Sequence, residues 1–87
     1  MIDVKQASQK ALEHFASLYP KIDSNDIMLE EAELTEDEKY WIITISYKIP
    51  KGEKIGETFF GETRAFKTFK LLSDTGEVRS MKIRTSK

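Results

Sequence analysis

The sequence has no cysteine, so no disulfide staples the fold and no thiolate chemistry is open to it. It has a single histidine, His14, and one imidazole without cysteine or a second histidine makes a poor transition-metal site. Prolines number two and glycines four, with no internal repeat and no low-complexity tract. No run approaches the ~20 apolar residues of a membrane-spanning helix. The opening stretch MIDVKQASQK is polar and lacks the apolar core and A-x-A-like cleavage site of a signal peptide, so a soluble, cytoplasmic chain is expected. The spacings of a phosphate loop (G-K-[ST]) and of a calcium loop (D-x-[DN]-x-[DN]-G) do not occur. No catalytic constellation emerges, and the expectation is a non-enzyme without cofactor or metal.

What is there is the composition of a globular domain: 39% hydrophobic and 33% charged residues, with five Phe, three Tyr and one Trp. Disorder needs low hydrophobicity and a high net charge, and the net charge here is only −1. The 87 residues allow a single domain, 1–87, with a thin core. Val4, Ala7, Ala11, Leu12, Phe15, Leu18 and Tyr19 recur at spacings of three and four, which predicts an amphipathic helix over 3–19. Asp3 and Gln6 stand at the spacing of a capping box, and Pro20 ends the helix by pushing its predecessor out of the α region.

Residues 26–34, DIMLEEAEL, suit helix or strand by composition. A strand is assigned because the polar turn Thr35-Glu36-Asp37-Glu38 follows and leads into an unmistakable one. Strict alternation then puts Met28, Glu30, Ala32 and Leu34 on one side, and Ile27, Leu29, Glu31 and Glu33 on the other. The next strand, 39–49, is built of the β-branched and aromatic residues that pleated surfaces prefer. Trp41, Ile43, Ile45, Tyr47 and Ile49 form the face expected beneath the helix; Tyr40, Ile42, Thr44, Ser46 and Lys48 form a partly wet one. A third strand covers 64–72, with Ala65, Lys67, Phe69 and Leu71 opposite Arg64, Phe66, Thr68, Lys70 and Leu72. Asp74-Thr75-Gly76 is a turn, since Asp bonds nearby backbone and Gly accepts positive φ at little cost, and it leads into a fourth strand over 77–84. The predicted fold is α+β: one N-terminal helix packed on a four-stranded antiparallel meander.

Charge is divided unevenly. Residues 1–44 carry four Lys against ten Asp and Glu, while 45–87 carry ten Lys and Arg against five. The simplest expectation is acidic strands paired beside basic ones in one sheet; the other reading is an acidic or basic interaction face.

The pattern resembles the PepSY domain. The residues that carry the likeness are Ala7, Ala11 and Phe15 on the helix; Leu29, Glu31 and Glu33 on an acidic strand; Tyr40, Ile42 and Ile43 on an aromatic strand; and Asp74, Thr75, Gly76, Glu77 and Val78 at the last turn. The resemblance implies a non-catalytic module of a kind associated with propeptides and proposed to restrain peptidases. The segment 50–63 is longer than the family's usual turn, and members are commonly exported or membrane-attached.

Candidate binding residues fall in two places. Phe59 and Phe60, two adjacent aromatics between Gly56 and Gly61, suit a hydrophobic anchor in the 50–63 loop, or a cap on the core. Tyr40, Ile42, Phe66 and Leu72 share the face turned away from the helix, with Arg64 and Lys70 among them, and an apolar patch there implies a protein partner or dimerisation. Single-stranded nucleic acid is the weaker expectation: Lys48, Lys51, Lys54, Arg64, Lys67, Lys70, Arg79, Lys82 and Arg84 are basic, but the sequence pI of about 5.8 is low for such a ligand. A small ligand would require a pocket lined by Phe15, Trp41 and Phe69. The acidic group Glu30, Glu31, Glu33, Glu36, Asp37 and Glu38 reads as a solvated strand and turn.

Overall fold

A computed structural model of the chain describes residues 1–48 and 64–84. Helix α1 (Val4–Leu18) is followed by a short 3-10 turn, Ser24–Asp26, and by strands β1 (Ile27–Leu34), β2 (Tyr40–Lys48), β3 (Arg64–Leu72) and β4 (Val78–Arg84). The strands form one antiparallel sheet in the order β1-β2-β3-β4, with α1 across one of its faces. The α+β meander expected from the sequence is the fold observed.

Helix α1 starts where its cap dictates. The Asp3 side chain accepts from the Gln6 backbone N–H at 2.8 Å, and the Gln6 side chain accepts from the Asp3 N–H at 3.0 Å. Two of the four orphan donors of the first turn are thereby satisfied. Ala7, Ala11 and Phe15 are fully buried, whereas Val4 and Leu18 remain exposed. The seven-residue apolar stripe is wider and longer than the line along which the helix meets the sheet, so its ends overhang. The two alanines let the backbone come close, and Phe15 fills the gap beyond them. Its ring lies 4.8 Å from both the Tyr19 and Tyr47 rings.

The sheet's half of the core is Ile43, Ile45 and Tyr47 from β2 with Phe69 and Leu71 from β3. Removing each large apolar side chain from water contributes about 1.5–3 kcal/mol. Lys67 is buried on this same face; its stem runs beside the core and its ammonium sits 5.5 Å from the centre of the Tyr19 ring. Burial pushes the Tyr47 phenol above its ordinary range, with Tyr19 adding to the effect.

Strand β1 departs from strict alternation. A bulge between Leu29 and Glu31 inserts Glu30 as an extra residue. Leu29 and Ala32 consequently stand opposite Ile45 and Ile43, and Ile27 and Leu34 stand opposite Tyr47 and Trp41. All four thus share the helix-side face, rather than being divided two and two as regular alternation requires. A second irregularity lies in the β3–β4 pairing, where Leu71 meets Val78 and Lys70 meets Ser80.

The turns are stitched by side chains. In the β1–β2 turn, Asp37 accepts from the Thr35 hydroxyl at 2.7 Å and the Lys39 N–H at 3.0 Å, which holds its carboxyl below the usual range. In the β3–β4 turn, the Thr75 hydroxyl accepts from the Glu77 N–H at 3.1 Å, so Thr75 supplies the bond expected of Asp74. Buried Ser73 ties three segments together: its hydroxyl donates to the Glu38 carbonyl, its N–H to the Lys39 carbonyl, and its own carbonyl accepts from the Ile2 N–H. The Trp41 indole completes the clasp by donating to the Ile2 carbonyl at 3.1 Å.

The sheet order also corrects the charge expectation. Acidic β1 and basic β4 are opposite edges of the sheet, not neighbours, because the meander places β2 and β3 between them.

Candidate functional site: the open face of the sheet

With α1 on one face, the other face presents the alternate residues of every strand. The register arranges them in rows across the sheet. Glu33, Ile42, Lys70 and Ser80 form one row; Glu31, Thr44, Thr68 and Lys82 form the next; Met28, Ser46 and Phe66 lead a third, at whose β4 end Arg84 is the register position. Tyr40 and Leu72 pair at one end, and Lys48 and Arg64 at the other.

Four apolar or aromatic residues, Tyr40, Ile42, Phe66 and Leu72, are half-buried on this face. They do not form one continuous patch. Tyr40, Ile42 and Leu72 gather at one end, while Phe66 lies on the far side of the Thr44–Thr68 pair. That pair is joined hydroxyl to hydroxyl at 3.2 Å. Thr44 is 2% exposed and Ser46 is 0% exposed, so the middle of the face is closed over by neighbouring groups.

The two expected cationic residues are both held in place. The Lys70 ammonium lies 4.3 Å from the centre of the Tyr40 ring, a cation–π contact that orients both side chains. Arg64 donates from Nε to the Ser46 hydroxyl at 3.0 Å and from a terminal nitrogen to the Asp26 carbonyl at 3.0 Å. The Ser46 hydroxyl donates in turn to the Glu30 carboxylate at 2.6 Å. Glu30 is the bulge residue, so the irregularity in β1 brings a carboxylate back over β2 and completes the Glu30–Ser46–Arg64 chain. Fixed groups of this kind lose less freedom when a partner arrives.

Sequence reasoning placed Tyr40, Ile42, Phe66, Arg64 and Lys70 on one face, and they share it. The structure adds Glu30, Ser46 and Thr44, which matter through their bonds. Period-two pairing of β2 with β3 carried the signal for Thr44 and Ser46, but nothing local announced the bulge at Glu30. Phe59 and Phe60 lie outside the described residues.

The described members of the wider basic set do not form one stripe, and Lys51 and Lys54 lie outside the described residues. Lys48, Arg64, Lys70 and Lys82 belong to the open face, whereas Lys67 is buried on the helix side and Arg79 pairs with Glu77 at 3.2 Å at the surface. His14 packs edge-on against Phe69 with ring centres 6.1 Å apart. Phe15 and Phe69 are fully buried core residues. An apolar groove of about 400 Å³ beside α1 is lined instead by Val4, Ser8, Leu12 and Leu29 among others. Among the described residues no three metal-ligating side chains converge, and no helix is long and apolar enough to cross a membrane. Comparison of the chain with protein-family models, with curated proteins and with solved structures finds no match.

Proposed function

We propose that this chain is a small non-enzymatic module that binds a protein partner through the open face of its sheet or through the 50–63 segment that carries Phe59 and Phe60, of which the open face is the better supported. One observation carries the reading: Tyr40, Ile42, Phe66 and Leu72 stand half-buried on the face that α1 leaves uncovered, with Arg64 and Lys70 already fixed among them. Interfaces favour this mixture of aromatic anchors and pre-positioned cations. The likeness to the PepSY domain suggests the sharper form, in which the partner is a peptidase held in check.

The test places a photo-crosslinking amino acid at Ile42 and, as a control, at the exposed helix residue Ala16. The expected outcome is an adduct from position 42 that is absent from position 16 and is weakened by Phe66→Ala. Equal labelling from both positions overturns the reading. Capture of single-stranded nucleic acid, with binding that weakens steeply as salt rises, replaces it with the alternative. If the partner is a peptidase, excess chain should lower its turnover reversibly.

A further inference from the structure

We infer that the open face is self-complementary: two copies pack sheet on sheet about a two-fold axis parallel to the strands, passing over the Thr44–Thr68 hydrogen bond. The inference rests on the open-face reading above and names the partner as a second copy of this chain.

The central row supplies the argument. Read across the sheet it runs Glu31, Thr44, Thr68, Lys82: an acid, two hydroxyls, a base. Rotation about an axis along the strands reverses the strand order while keeping each row at its own height. Glu31 of one copy then stands over Lys82 of the other, and Thr44 stands over Thr68. The interface is isologous, so the acid–base contact occurs twice and the assembly closes as a dimer.

The other two-fold axis available to stacked sheets runs across the strands and lays β1 on β1 and β4 on β4. It sets Glu31 near Glu31 and Lys82 near Lys82, and like charges in opposition are repulsive. The charge pattern therefore selects one axis of the two. Separation of acidic and basic strands to opposite edges is what makes this possible; a sheet with neighbouring acidic and basic strands would carry no such polarity across its width.

Rotation about the strand-parallel axis also brings the Phe66 position over that of Ser46 in the second copy, and Ile42 over Lys70. Sheets stacked face to face lie about 10 Å apart. Four strands of seven to nine residues give a footprint on the order of 500 Å², from strand spacings of about 4.8 Å and rises of about 3.3 Å. That is below the roughly 800 Å² per partner of a standard interface, so the dimer is reversible and concentration-dependent.

Sedimentation equilibrium of the full chain from micromolar to near-millimolar concentration tests the proposal. The expected mass rises from the 10.1 kDa monomer towards twice that value, and less so in high salt. Glu31→Lys and Lys82→Glu are exposed positions, and each change alone should weaken self-association by roughly ten-fold. An equimolar mixture of the two variants should regain it as a heterodimer, because each supplies the charge the other has lost. Cooperative unfolding of both variants by circular dichroism establishes that they are folded. A chain that stays monomeric throughout, or a mixture that fails to recover, overturns the inference. If the chain is monomeric yet crosslinks from position 42 to a different protein, the open-face reading stands and self-pairing falls. If it neither dimerises nor crosslinks, both fall.

Discussion

At Gly76 the backbone takes φ +81° on a buried residue, with Lys10 and Ile2 packed where a methyl group would go. The Lys10 stem can swing aside, but the dihedral cannot change without reopening the turn that bonds the Gly76 N–H to the Leu72 carbonyl at 2.7 Å. Gly76→Ala should therefore cost about 1–2 kcal/mol in urea unfolding, the usual penalty of a left-handed conformation for a residue with Cβ. Tyr47 makes a prediction in pH. Its phenol titrates above the ordinary value because burial disfavours the phenolate, with Tyr19 adding to this. The folded state then holds its proton more tightly than the unfolded chain, so the contribution is complete below the unfolded value near 10 and is lost as pH rises past it. Stability should fall as pH climbs above about 10, and Tyr47→Phe should flatten that fall in chemical denaturation run across the alkaline range. The glycine was legible in the sequence as a turn residue, because its φ is a local demand. Tyr47 was legible only as a core position, since its shift depends on rings brought together from α1.

Among the elements, α1 depends on its first turn more than on its last. The Asp3 box supplies two bonds at the start, while no basic residue stands in the final turn. Asp3→Ala should lower stability by about 1 kcal/mol, with the loss read as earlier thermal melting of the helical circular dichroism signal. This box was visible in the sequence because capping is a matter of spacing along one stretch of chain. Strands β2 and β3 were equally visible, their alternation unbroken from Tyr40 to Lys48 and from Arg64 to Leu72. Strand β1 was found, but half of it was turned the wrong way. The bulge at Glu30 shifts the phase of everything after it, and a pattern of Glu and Leu alone does not record where an extra residue is inserted. Only pairing with β2 decides that. The cost of missing it was the Glu30–Ser46–Arg64 chain, the most ordered polar feature of the open face.

For the molecule as a whole, the meander order makes β2 and β3 the interior and leaves β1 and β4 as edges. The sheet's buried core side chains all come from β2 and β3, beneath the three from α1. Native-state amide exchange should accordingly protect Ile43, Ile45, Phe69 and Leu71 most strongly, with β1 and β4 amides exchanging orders of magnitude faster through local opening. Protection of β1 equal to that of β2 would contradict this ranking. The overall architecture could be read from the sequence because each element declared its type and each described turn declared its position. The polarity of charge across the sheet could not be read, since it depends on strand order and not on strand content. The clasp at Ser73 was invisible for the same reason: it joins residues 2, 38, 39 and 73, which are distant along the chain. That clasp sets a timetable. On the ribosome the helix emerges before the three strands that precede Ser73, the serine that fastens its leading end. The nascent helix waits as a loose flap while β1, β2 and β3 are made, and this end of the molecule shuts only when the β3–β4 hairpin arrives.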